Sequence, residues 1–226
     1  MFDAAIKSYQ SCLEINPNQY ICYYNLGNAY AEIGLFDEAI KYYEQWIYFN
    51  PQDGLGKYYL GNAYYENKKF RQAIPIYLQF LQIDSQHYNC NLNLGSAYYK
   101  IGDMDKAKRQ YDYCLTLKPN DDSSFICHYN LGNIFYKQGR YQEAIKEYKQ
   151  CQNLESFLIQ NYKSDEIIQT YKQCLQSSYY NLGSSFKKIS NHLESINYYK
   201  KCLEIDQNHE NANKQLQKLT QQNIKC

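Results

Sequence analysis

The sequence predicts an all-α protein built as a solenoid, a stack of short helical hairpins, and three periodic observations carry that prediction. A Leu-Gly pair recurs with its glycine at residues 27, 61, 95, 132 and 183, and the first two intervals are 34 residues each. A second glycine stands seven residues behind three of these, at Gly34, Gly102 and Gly139. Between the glycines, apolar residues recur at three- and four-residue spacing, so each segment has one face to bury. A fixed period of this size marks units that cannot bury that face alone and must stack.

The stretch 20–53, YICYYNLGNAYAEIGLFDEAIKYYEQWIYFNPQD, serves as a frame when its residues are numbered as positions 1 to 34. Glycine inside a helix costs about 1 kcal/mol against alanine, so its recurrence at position 8 signals two helices approaching too closely for a side chain. Position 15 is where a left-handed residue ends the first helix. Pro17, Pro51 and Pro119 fall at position 32, where a second helix has stopped. This pattern, with Tyr23, Leu26-Gly27, Tyr30, Ala39, Tyr43 and Pro51 at its key positions, resembles the tetratricopeptide repeat (TPR). The resemblance implies a right-handed α-solenoid of stacked helix–turn–helix TPR units, with the first helices lining a concave groove.

Taken in order, residues 1–19 match only the second half of a unit, with Ala5, Tyr9, Cys12 and Pro17 in the expected slots. The apolar stripe of such a half repeat is expected to belong to a longer array or to support self-association. Residues 20–158 read as four TPR units, starting at 20, 54, 88 and 125. Pro75, early in a second helix, is expected to kink that helix or delay its start. Asp121 to Ser124 suit a helix cap ahead of the fourth unit. The glycine interval from 132 to 183 is 51 residues, one and a half periods. Residues 159–175 are accordingly an insertion or extra helix, and 164–176 resembles another second helix. A fifth unit spans 176–209, and 210–226 reads as a polar capping helix.

Net charge is +1, which provides no electrostatic case for nucleic acid or an anionic membrane. No apolar run is long enough to span a bilayer. The opening residues show no secretory leader, so a cytoplasmic protein is expected. Of nine cysteines, Cys12, Cys114, Cys151, Cys174 and Cys202 align at position 27, and Cys22, Cys90 and Cys127 at position 3. Both are small packing slots, where cysteine behaves as a small hydrophobe. Neither a metal site nor a disulfide framework is expected, and no cofactor is implied.

The resemblance places positions 2, 5, 6, 9, 12 and 13 on the concave face. The candidate peptide-binding residues there are Tyr24, Asn25, Asn28, Tyr58, Tyr59, Asn62, Asn93, Tyr99, Tyr129, Asn130, Asn133, Tyr136 and Asn181. An asparagine carries a donor and an acceptor and can pair with a peptide unit, while tyrosine adds broad contact area with a polar tip. The clamp that some family members use for chaperone tails is absent, since position 5 is Tyr or Leu and no position 6 is Arg. Gly54-Leu55-Gly56-Lys57 lacks the full phosphate-loop spacing, and no nucleophile constellation stands out. The expected function is a non-catalytic scaffold that binds a partner peptide or helix in the Tyr/Asn groove. The alternative is the recognition segment of a larger multidomain enzyme or assembly whose catalysis lies outside this chain.

Overall fold

The computed structural model describes residues 2–118, 122–161 and 165–223, with 122–123, 153–161, 165–171 and 222–223 described by backbone alone. These residues form α1 (Phe2–Ile15), α2 (Tyr20–Glu32), α3 (Phe36–Phe49), α4 (Gly54–Glu66), α5 (Phe70–Leu81), α6 (Tyr88–Ile101) and α7 (Met104–Leu117). They continue with α8 (Asp122–Lys137), α9 (Tyr141–Asn161), α10 (Asp165–Lys188), α11 (His192–Ile205) and α12 (Glu210–Asn223). No strand occurs among the described residues. The chain divides into two compact units, Met1–Leu117 and Lys118–Cys226. Within the first, α1 to α7 each pack on the next, and α4 also meets α6. Within the second, α8 to α12 pack in the same way, and α8 meets α10. Each unit is therefore an α-solenoid of stacked hairpins in which first helices adjoin first helices.

Five hairpin turns among the described residues are closed by the same bond, from the position 16 N–H to the position 11 carbonyl. Leu35 donates to Tyr30, Lys69 to Tyr64, Asp103 to Tyr98, Arg140 to Phe135 and Asn191 to Phe186, at 2.9 to 3.0 Å. This turn needs a left-handed residue at position 15. Gly34, Gly102 and Gly139 supply it with φ between 75° and 87°. Where glycine is missing, Lys68 (φ 59°) and Ser190 (φ 61°) adopt the same conformation, so the turn forms without its sequence marker.

The two helices of a hairpin are held by the tyrosine at position 24. Its ring lies over the glycine at position 8: a Cβ on Gly27, Gly61, Gly95, Gly132 or Gly183 would stand 2.5 to 2.9 Å from Tyr43, Tyr77, Tyr111, Tyr148 or Tyr199 respectively. All five tyrosines are almost fully buried. A buried hydroxyl needs a partner, and each finds it at position 9, one residue past the glycine. Tyr43 donates to Asn28 (2.7 Å), Tyr77 to Asn62 (2.9 Å), Tyr111 to Ser96 (3.2 Å) and Tyr148 to Asn133 (2.7 Å). Tyr199 and Ser184 share a bond of 3.2 Å. Ser195, which replaces the alanine of the fifth unit, is also buried and donates to the Gly183 carbonyl at 2.8 Å.

Successive hairpins are joined by a side chain at position 4, which donates to the position 32 carbonyl in the turn that follows the preceding second helix. Tyr23 reaches Pro17, Lys57 reaches Pro51, Asn91 reaches Ser85 and Asn213 reaches Gln207, at 2.9 to 3.1 Å. The slot selects for a donor of suitable reach, so an aromatic there is one solution among several. Positions 27 and 3 meet across the same joint. Trp46 at position 27 faces Gly56 at position 3, where an added Cβ would lie 2.8 Å from Ile47 and 3.4 Å from the indole. At the first joint both slots carry cysteine, and Cys12 and Cys22 form a disulfide, with Cα atoms 6.9 Å apart. This corrects the expectation that no disulfide forms: the two residues pack in adjoining slots, and that packing brings the sulfurs together.

Two further expectations change, and one falls outside the described residues. Pro75 lies inside α5, which begins at Phe70 without delay. The cap expected around Asp121 falls outside the described side chains, and Ser124 lies within α8, buried rather than ahead of the helix. The segment 164–176 is not a separate helix. The backbone is helical from Asp165 to Lys188, so that segment runs without a break into the first helix of the 176–209 unit. No glycine or proline before Gly183 interrupts it. The side chains of Phe157, Leu158, Ile159, Tyr162, Ile167 and Tyr171 lie outside the described residues.

Replacing Gly61 with Ala is expected to destabilise the fold by about 1–3 kcal/mol despite alanine's better helix propensity, because the ring of Tyr77 must move. Lys68→Gly is expected to stabilise it by about 0.5–1 kcal/mol by relieving the left-handed backbone. Urea denaturation of both variants against the parent protein checks the two signs together.

Candidate functional site

In the first unit the predicted residues Tyr24, Asn25, Asn28, Tyr58, Tyr59, Asn62, Asn93 and Tyr99 sit on α2, α4 and α6 and are all half-buried. In the second, Tyr129, Asn130, Asn133, Tyr136 and Asn181 sit half-buried on α8 and α10. The amides differ in what they have left to offer. Asn62 Oδ1 accepts from Tyr77 and also from Asn93 Nδ2 of the next first helix, at 3.0 Å. Asn133 Oδ1 likewise accepts from Tyr148 and from Asn181 Nδ2, at 3.0 Å. Both lone pairs of each oxygen are thus used, so Asn62 and Asn133 retain only their Nδ2 donors, while Asn93 and Asn181 retain Oδ1 acceptors. Of the predicted asparagines only Asn25 and Asn130 make no side-chain hydrogen bond among the described residues, while Asn28 keeps one lone pair with both Nδ2 donors, and Asn93 and Asn181 keep one Nδ2 donor beside their oxygens. The cause is the buried tyrosine hydroxyl, which takes the position 9 oxygen.

The tyrosines divide in the same way. The Tyr24 ring lies 4.6 Å from Trp46 and 5.5 Å from Tyr59, and Tyr59 stacks on Tyr43 at 5.9 Å. Tyr58 turns into the joint between helices, 4.8 Å from His87 and 5.5 Å from Phe80. His87 is itself the cap of α6, its Nδ1 accepting from Cys90 N at 3.1 Å. Tyr129 lies 6.2 Å from Tyr148, and Tyr136 lies 5.4 Å from Tyr141. A hydrogen bond with Tyr24, then burial, pushes the Tyr59 hydroxyl up to about 12, and burial raises Tyr43 and Tyr77 further. These phenols are neutral hydrogen-bonding groups.

A pocket of about 150 Å³ opens between α2, α3 and α4, lined by Asn28, Glu32, Phe36, Tyr43, Tyr59, Asn62 and Glu66 together with two alanines. The sequence-based set contains Asn28, Tyr59 and Asn62 but omits Tyr43, Phe36 and the two glutamates. The missed signal is at position 13, which reads Glu32, Glu66, Lys100, Lys137 and Lys188 in successive units.

Catalytic chemistry finds no support in the described residues. No three His, Cys, Asp or Glu side chains among them are grouped to hold a metal. Burial pushes the Cys90 thiol up to about 12 and that of Cys202 to about 11, and raises Cys151 further, which suppresses the nucleophilic thiolate. Gly54 to Lys57 form the first turn of α4, where Leu55 N is already bonded to Asp53 at 2.9 Å, so this stretch is not a phosphate-cradling loop. No helix of the described residues is long and apolar enough to cross a membrane.

The hairpin, its glycine–tyrosine contact and its 34-residue period match known repeat families. Models described as tetratricopeptide repeat match residues 20–53, 57–87, 87–154 and 176–209, and one described as TPR repeat matches 2–34. The chain belongs to the tetratricopeptide repeat family. No curated protein matches this TPR chain by sequence. Among solved structures it is similar to MamA, at 24% identity over 70% of this chain and 91% of that one, with a TM-score of 0.66. It is similar to YrrB, described as a TPR protein with an unusual peptide-binding site, at 16% identity over 92% of this chain and 96% of that one (TM-score 0.65). Its likeness to the APC/C hetero-tetramer Cut9-Hcn1 covers 99% of this chain but 40% of that one, at 16% identity and a TM-score of 0.68. At these identities the likeness shows the shared fold.

The buried phenols and thiols make the TPR fold sensitive to alkali. Their folded-state pKa values lie above the unfolded ones, so the stability they contribute is full below about pH 9, the unfolded thiol value, and is lost as pH rises toward 12. Thermal midpoints measured from pH 8 to pH 11 are expected to fall steadily above pH 9.

Proposed function

We propose that this TPR protein is a non-catalytic scaffold whose first-helix face holds an extended segment of a partner protein. The observation that carries the reading is the complementary state of the paired amides. Asn62 presents donors beside the acceptor of Asn93, and Asn133 presents donors beside the acceptor of Asn181. A peptide unit offers one acceptor and one donor, so each amide pair suits one unit of extended backbone. Half-buried tyrosines flank the amides and supply contact area at low entropic cost. YrrB, a protein of the same fold, is described as having an unusual peptide-binding site, which supports peptide binding as a use of this fold. Asn25 and Asn130 are free of intramolecular bonds among the described residues and are the cleanest probes, since their removal leaves the internal network intact.

Affinity purification with mass spectrometry identifies the partner, and calorimetry then compares it on the parent protein and on Asn25→Ala/Asn130→Ala. An affinity loss of about tenfold is expected, equivalent to one to two hydrogen bonds, with the thermal midpoint unchanged. Unchanged affinity would sink the assignment of this face.

A further inference from the structure

We propose that the pocket between α2, α3 and α4 receives one basic side chain, lysine or arginine, of the bound segment. This rests on the reading of the first-helix face as a peptide site and adds what that peptide must contain. Glu32 and Glu66 occupy the same position in successive units and line the same cavity. Both carboxylates are exposed, and neither forms an ion pair among the described residues. Two carboxylates lining one cavity give it a negative character that a cationic head group complements. The walls suit the same occupant. Tyr43 and Tyr59 stack at 5.9 Å with their planes 21° apart, and aromatic walls favour a cationic head group.

The competing occupants fit poorly. The amide oxygens that would welcome a neutral donor are largely engaged: Asn62 Oδ1 accepts from both Tyr77 and Asn93, and Asn28 Oδ1 spends one of its two lone pairs on Tyr43. Among the described lining residues, the strong acceptors left unused are the two carboxylates. An acidic side chain would meet them as a third like charge. The feature is also local: at the next first helix of the same unit the equivalent position is Lys100. A basic residue is therefore directed to one joint of the stack, which sets the register of the bound segment.

The test uses the full chain and a random dodecapeptide display library as the probe. Peptides selected on the parent protein are expected to share one Lys or Arg at a fixed position. The best peptide is then synthesised with that residue and with Met in its place, and both are titrated against the parent protein and Glu32→Gln/Glu66→Gln. The basic peptide should bind the variant about tenfold more weakly, the size of one charge-assisted contact, while the Met peptide should bind both proteins alike. Far-UV circular dichroism confirms that the variant, altered only at exposed side chains, remains folded. Peptides that bind without a fixed basic residue, or equal affinities across the four titrations, overturn the pocket assignment and leave the peptide groove standing. Selection of no peptide at all overturns the groove reading and the pocket assignment with it.

Discussion

The contact on which the rest of the structure depends is a tyrosine ring laid on a glycine. In each of the five full hairpins the position 24 ring covers a helical glycine so closely that a Cβ would stand within 3 Å of it. That approach sets the spacing of the two helices, buries an aromatic ring and delivers a hydroxyl to the next residue along. An aromatic side chain of this size contributes on the order of 2–3 kcal/mol by burial, and the hydroxyl bond about 1 kcal/mol more. The same few atoms that hold a hairpin together also select what stands beside the glycine: it must be an acceptor, and it is Asn or Ser throughout.

This requirement reaches the surface. Asn62 and Asn133 face two ways, with an oxygen committed to the interior and a nitrogen left over, and the oxygen also gathers Asn93 or Asn181 from the following first helix. Packing thereby gives a row of chemically similar amides a definite polarity. The donors and acceptors left on these helices are those the fold has not used, so core and surface share one hydrogen-bond network.

The joints show how much variation the architecture absorbs. Tyr, Lys and Asn at position 4 all reach the equivalent turn carbonyl, which needs a donor and is indifferent to its type. Trp46 opposite Gly56 and Cys12 opposite Cys22 fill comparable joints with very different side chains. A left-handed Lys68 or Ser190 closes a turn that glycine closes elsewhere, since the 16-to-11 bond and the packed helices on either side hold the backbone there.

Much of the fold was legible in the chain itself. Leu-Gly spacing, the position 15 glycines and the prolines at 17 and 51 specify helices, turns and stacking, because each reflects a local backbone demand that only certain residues meet. The placement of the candidate residues on the first helices was also legible, through the repeat frame. What the sequence could not determine was which polar atoms remain available, because that depends on partners fifteen or thirty-one residues away, as at Tyr77–Asn62 and Asn93–Asn62. It likewise could not show that α10 runs unbroken, that Cys12 meets Cys22, or that Glu32 and Glu66 share a cavity with two tyrosines. Period and propensity act along the chain, whereas bonding state and shared cavities arise only when distant segments are brought side by side. The tertiary structure alone decided those.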